Sequence, residues 1–114
     1  MKTLRTAKQV ISYLRGCGII EDMLSSIDIV IQNDLYNKGC KVEGCYIPRY
    51  GKEGKPTIFI RSLRDTALFN HVCLHELGHH AHYYYMPIWT KGATESQKEE
   101  YAERFARGGY KQFC

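Results

Sequence analysis

Two histidines four residues apart, His75 and His79, with Glu76 directly after the first, constrain this chain more than any other feature. The pentad His75-Glu76-Leu77-Gly78-His79 makes chemical sense on a helix. There, residues four apart stack one turn over each other and can share one metal ion. The intervening glutamate then stands beside the metal and can take a proton from a bound water. All five histidines (His71, His75, His79, His80 and His82) fall within twelve residues. The pattern points to a small zinc-dependent hydrolase of peptide bonds, and it needs a fold that brings a third ligand to one helix face.

At about 100° per residue, His71, His75, His79 and His82 occupy one quarter of the helix circumference, while Phe69, Cys73, Leu74, Leu77 and Ala81 take the opposite side. This predicts an apolar back packed on a sheet and an imidazole-lined front. His82 cannot join His75 on one ion, because seven helical residues rise about 10.5 Å and Zn–N bonds are near 2 Å. A third histidine six residues beyond His79 is excluded, since Tyr85 stands there, and no histidine follows His82. The remaining ligand must be a downstream carboxylate or Cys114. Glu95, Glu99 and Glu103 share one face of the expected last helix. Glu99 is preferred because the twenty residues after His79 leave room for a loop, Pro87 to Ala93, that folds this helix back. Glu100 is the reserve. A competing role for Glu99 is a capping box with Ser96 at the helix start. Glu103, one turn on, can hydrogen-bond a ligand imidazole.

Around the pentad the pattern predicts an α+β domain spanning residues 1–114. Leu4, Ala7, Ile11 and Leu14 recur at helical spacing, with Gly16 and Gly18 as a stop. Ile27, Ile29 and Ile31 alternate with polar neighbours as in a half-buried strand. Asn33 to Gly39 reads as a turn, Val42 to Ile47 as a second strand ended by Pro48, and Tyr50 to Pro56 as a hairpin loop. Thr57 to Ile60 is the third strand. The pentad helix runs from Arg64 or Asp65 to about Tyr84, stopped by Met86-Pro87. The last helix is capped by Thr94 or Ser96 and stopped by Gly108-Gly109. Tyr83, Tyr84 and Tyr85 read as packing residues.

A net charge of +4 from scattered Lys and Arg gives no ground for a nucleic-acid partner. No apolar run approaches the roughly 20 residues that span a bilayer, so no membrane partner is expected. No export signal follows Lys2, Arg5 and Lys8, which makes the cytoplasm the expected location. The five cysteines are an odd number at irregular spacing and read as reduced thiols. Cys40 and Cys45 lack the second close pair of a zinc-ribbon pattern.

Phe69 to His79 resembles the active-site helix of the ImmA/IrrE metallopeptidase family, in which a phenylalanine and an HELGH pentad follow a strand. Glu99 to Ala106 is similar to that family's second signature, roughly E-x-x-A-(N/D)-x-F-A. Ala102, Phe105 and Ala106 then align, and Glu103 departs from the preferred Asn or Asp. In size the chain also resembles the minigluzincins, and the likeness covers roughly Thr57 to Ala106. The resemblance implies a minimal zincin-like domain, Zn²⁺ on His75, His79 and Glu99, and Glu76 as catalytic base. It further implies an endopeptidase acting on a protein or peptide substrate, such as a repressor of a mobile element or stress response. The alternative it implies is a latent or catalytically silent zinc-binding regulatory module, with a tail in the cleft.

Overall fold

Alternating isoleucines build the centre of the sheet. Ile58 and Ile60 of β5 (Lys55–Arg61) are almost wholly buried, and they pair in register with Ile29 and Ile31 of β1 (Asp28–Gln32). Side chains two apart in a strand share a face, so these four form one apolar surface. The structure, a computed structural model, describes residues 6–86 and 91–113. In it β1 runs parallel to β5, and β4 (Gly44–Tyr50) runs antiparallel on β5's other side. The order is β1-β5-β4, which leaves β4 at an edge.

The helices cover the isoleucine face. α1 (Ala7–Gly16) starts at a capping box in which Thr6 accepts from the Gln9 N–H and Gln9 accepts from the Thr6 N–H. Its Val10 and Leu14 enter the core beside Phe69 and Leu77. Leu4, expected on this helix, lies outside the described residues. α2 (Glu21–Ser25) is a single turn that buries Met23 and Leu24. It is too short to produce the repeating apolar pattern that a sequence reading needs.

Two strand expectations need correction. Residues 33–39 are more than a turn: β2 (Tyr36–Asn37) and β3 (Cys40–Lys41) form a separate two-stranded hairpin. Lys38 and Gly39 both have positive φ, as a tight two-residue hairpin turn requires. Pro48 does not end its strand. It has no N–H to give the ladder, and pairing with β5 becomes irregular between Ile47 and Tyr50, yet β4 continues to Tyr50.

The pentad lies on α3 (Thr66–Tyr85), which Asp65 caps by accepting from the Leu68 N–H. Phe69, Cys73, Leu74, Leu77 and Ala81 are all buried, as the helical spacing predicts. The helix ends at Met86, whose N–H donates to the His82 carbonyl; Pro87 lies outside the described residues. α4 (Glu95–Ala106) begins at a Thr94–Gln97 capping box. The Ser96–Glu99 box does not form, so Glu99 is free of the helix start. After Gly108, at φ 141°, a 3-10 turn (Gly109–Phe113) follows. The described residues thus form an α+β arrangement of four α-helices, a three-stranded sheet and a small hairpin. None of these helices is long and apolar enough to cross a membrane.

Candidate metal centre

α3 and α4 pack antiparallel, and the contact is close because Gly78 has no side chain. A Cβ there would lie 2.9 Å from the Ala102 Cα and 2.9 Å from the Phe105 Cβ. This close approach lays Glu99 across the two pentad imidazoles. Glu99 Oε2 is 2.9 Å from His75 Nε2, and Glu99 Oε1 is 3.1 Å from His79 Nε2. One ligand atom from each of the three lies within 4.8 Å of the others.

One turn along, the pattern repeats. Glu103 Oε1 is 2.8 Å from His71 Nε2 and 3.1 Å from His75 Nδ1, and Glu103 Oε2 is 3.3 Å from Arg107 Nη2. Both groups, His75–His79–Glu99 and His71–His75–Glu103, could hold a metal ion. They share His75, one through each ring nitrogen. An ionised carboxylate only accepts, so the contact with Glu103 places a proton on Nδ1 of His75. In a neutral ring the free lone pair then sits on Nε2, facing Glu99 and His79. Glu103 therefore orients His75 from behind, as the four-residue spacing of the carboxylates suggested. The involvement of His71 and Arg107 was not foreseen, although His71 sits one turn before His75 just as Glu103 sits one turn after Glu99.

The ionisation states follow from burial and neighbours. Burial pushes His75 down, but the hydrogen bond to Glu103, the charge of Glu76 and the contacts with Glu99 outweigh it, and the ring ends above its ordinary value. For His79 burial dominates and the shift is downward despite Glu99. Hydrogen bonds from His71 and then His75 lower Glu103. Glu76 is 6 % exposed. Burial pushes its carboxyl up to about 7; His75 opposes this and Glu99 adds to it.

Glu76 fits only because Gly44 makes room for it. A Cβ on Gly44 of β4 would lie 2.8 Å from Glu76 Cγ, 2.8 Å from its Oε2 and 2.8 Å from Val72 Cγ1. Gly44 is not among the glycines with positive φ. Its missing side chain is thus a matter of room, not of backbone freedom. No pattern in the sequence marks it, because the approach depends on which strand crosses the helix.

The other histidines are accounted for. His80 is fully buried. Tyr46 donates its hydroxyl to Nδ1 at 2.8 Å, Nε2–H donates to Ser26 Oγ at 2.7 Å, and Ser26 donates to the Met23 carbonyl at 2.7 Å. This chain satisfies both ring nitrogens in the neutral form, and burial lowers the His80 pKa to about 4. His82 stacks on Tyr101, with ring centroids 4.6 Å apart, and joins neither group. Glu100 pairs with Arg104 and faces a different pocket, so it is not a reserve ligand. Cys114 lies outside the described residues. Cys17, Cys40, Cys45 and Cys73 form no disulfide, and none joins a candidate metal group.

An open cleft of about 690 Å³ runs between β4 and the α3–α4 pair, with His75, Glu76, His79 and Glu99 on one wall. Tyr83 lines it, whereas Tyr84 packs on His80 and Tyr85 joins the core. Compared with family models, with curated proteins and with solved structures, the chain matches none.

Proposed function

We propose that the chain is a zinc-dependent endopeptidase of the ImmA/IrrE type, a minimal zincin-like domain that hydrolyses a protein or peptide substrate. A cytoplasmic repressor is the substrate that the resemblance favours. One observation carries the reading: two imidazoles and one carboxylate converge with a buried glutamate beside them, at the foot of an open cleft. His75, His79 and Glu99 are the residues that would hold the ion. They suit zinc in chemistry, with nitrogen and oxygen donors and one position left for substrate or water. They suit it in spacing too, because ligands about 2 Å from a tetrahedral ion sit about 3.3 Å from one another.

A bound zinc ion supplies Lewis-acid polarisation of a carbonyl and acidifies water to a pKa of about 7. The chain's own residues do the rest. Glu76 accepts the proton of the attacking water on a carboxylate oxygen and delivers it to the departing amine nitrogen. In the metal-free protein burial raises this carboxyl, which favours taking up a proton. Gly44 leaves room for the carboxylate, and Glu103 keeps the Nε2 edge of His75 turned inward. β4 is an exposed edge on which an extended peptide can lie by main-chain pairing.

Two measurements on one preparation test this. Elemental analysis should find one zinc per chain, and Glu76→Gln should keep it while peptide cleavage falls about 10²- to 10⁴-fold. Cleavage by Glu76→Gln at the unmodified rate, or a protein that takes up no zinc, would overturn the reading.

A further inference from the structure

Arg61 closes β5 at the end of the cleft near the start of α3, and it lines the cleft together with Leu68, His71 and Lys41. Its backbone N–H donates to the Glu43 carbonyl at 2.8 Å. Its guanidinium is less well served. The Nε atom is buried and is the one buried side-chain polar atom without a hydrogen-bond partner among the described residues. No carboxylate pairs with Arg61 among those residues, the exposed Glu43 included, whereas Lys41 and Lys98, which line the same cleft, have acidic partners. A partly buried cation with an unmade hydrogen bond costs stability. Nε itself is covered, so an anion that arrives with a ligand in the cleft would meet the terminal Nη nitrogens, which have no acidic partner among the described residues. Arginine presents its donors as a planar fork that fits a carboxylate.

We propose that Arg61 is a carboxylate-binding subsite, so that the peptide taken by the cleft carries an acidic group, either a Glu or Asp side chain or a C-terminus. Gly44, which approaches Glu76, pairs with Ile60, and Arg61 is the next residue, so the subsite lies at that end of the cleft. The proposal rests on the peptidase reading for the identity of the ligand as a peptide. Lys41 adds positive charge at this end, but its ammonium is already 3.3 Å from Asp34.

The test uses zinc-loaded protein and short peptides matched except for Glu against Gln at each position, each made with a free and with an amidated C-terminus. Wild type and Arg61→Met are compared by kcat/KM. Binding of the same peptides is measured by fluorescence anisotropy on Glu76→Gln protein, with and without Arg61→Met, which needs no turnover. Wild type should favour one acidic peptide over its neutral match by about 10- to 100-fold, the size of one charge-assisted hydrogen bond. Arg61→Met should erase that preference and melt no lower than wild type. A preference at one Glu position identifies a side chain; a preference for the free C-terminus identifies the terminal carboxylate. Equal handling of Glu and Gln peptides and of acid and amide termini, or a preference that survives Arg61→Met, overturns the proposal. Cleavage without preference sinks Arg61 alone. Arg61-dependent binding without cleavage sinks the peptidase reading alone.

Discussion

Replacing Gly78 by alanine sets two physical effects against each other, and the structure says which one wins. In an isolated helix the change should stabilise by about 1 kcal/mol, because alanine loses less backbone entropy. Here the new Cβ would stand 2.9 Å from Ala102 Cα, 2.9 Å from Phe105 Cβ and 3.0 Å from the Ala102 carbonyl oxygen, about 0.5 Å short of an ordinary 3.4 Å contact. Two of those atoms are α4 backbone, so the helix itself must retreat by about half an ångström. Overpacking of this kind costs about 1–3 kcal/mol, which exceeds or cancels the propensity gain. The net expectation is a loss of about 0–2 kcal/mol. A retreat of that size also exceeds the roughly 0.2 Å tolerance of a metal–ligand distance, so zinc affinity should fall at least about tenfold. Urea unfolding of the metal-free protein measures the first quantity, and competition with a chromophoric chelator measures the second. Gly16, at the end of α1 with nothing within 4 Å of a Cβ, serves as control and should gain stability as alanine. If Gly78→Ala is stabilised by about 1 kcal/mol and binds zinc as before, the close helix approach is wrong.

Two further expectations concern the carboxylates. Glu103→Gln should weaken zinc binding about 10- to 100-fold, since the carboxylate that orients His75 is lost; unchanged affinity in the same chelator competition would show that Glu103 anchors nothing. Glu76 is raised in the folded state from 4.5 to about 7, so it destabilises the metal-free fold only when ionised. The penalty is absent below pH 4.5, grows between pH 4.5 and 7, and reaches about 3 kcal/mol above that window. Metal-free Glu76→Gln should therefore match wild type in urea near pH 4.5 and exceed it at pH 8, and a constant difference across that range would refute the shift.

The legible parts of this fold are those with a local signal. The repeat of Phe69, Cys73, Leu77 and Ala81 marked the buried back of α3, and the alternation at Ile29 and Ile31 marked β1. The spacing of Glu99 from His79 was enough to bring the last helix to the imidazole face. What stayed hidden depends on contacts across the chain. Ser26 meets His80 over a separation of 54 residues, and Gly44 meets Glu76 only because β4, not β1, is the strand beside that part of the helix. α2 spans too few residues to show a period. Pro48 misled for the opposite reason: its local effect is real, but an edge strand absorbs it.

The antiparallel contact of α3 and α4 has one more consequence. Carboxylates recur every fourth residue at Glu95, Glu99 and Glu103, and imidazoles at His71, His75 and His79, so the polar seam reads almost alike after a slide of one turn, about 6 Å. The apolar side does not. Slid one way, Lys98 would occupy the seat of Ala102 against Gly78; slid the other way, Gly109 would replace buried Phe105 and leave a hole. The alignment of the ligands is thus chosen by residues that never touch them, as the wards of a lock sit apart from its bolt.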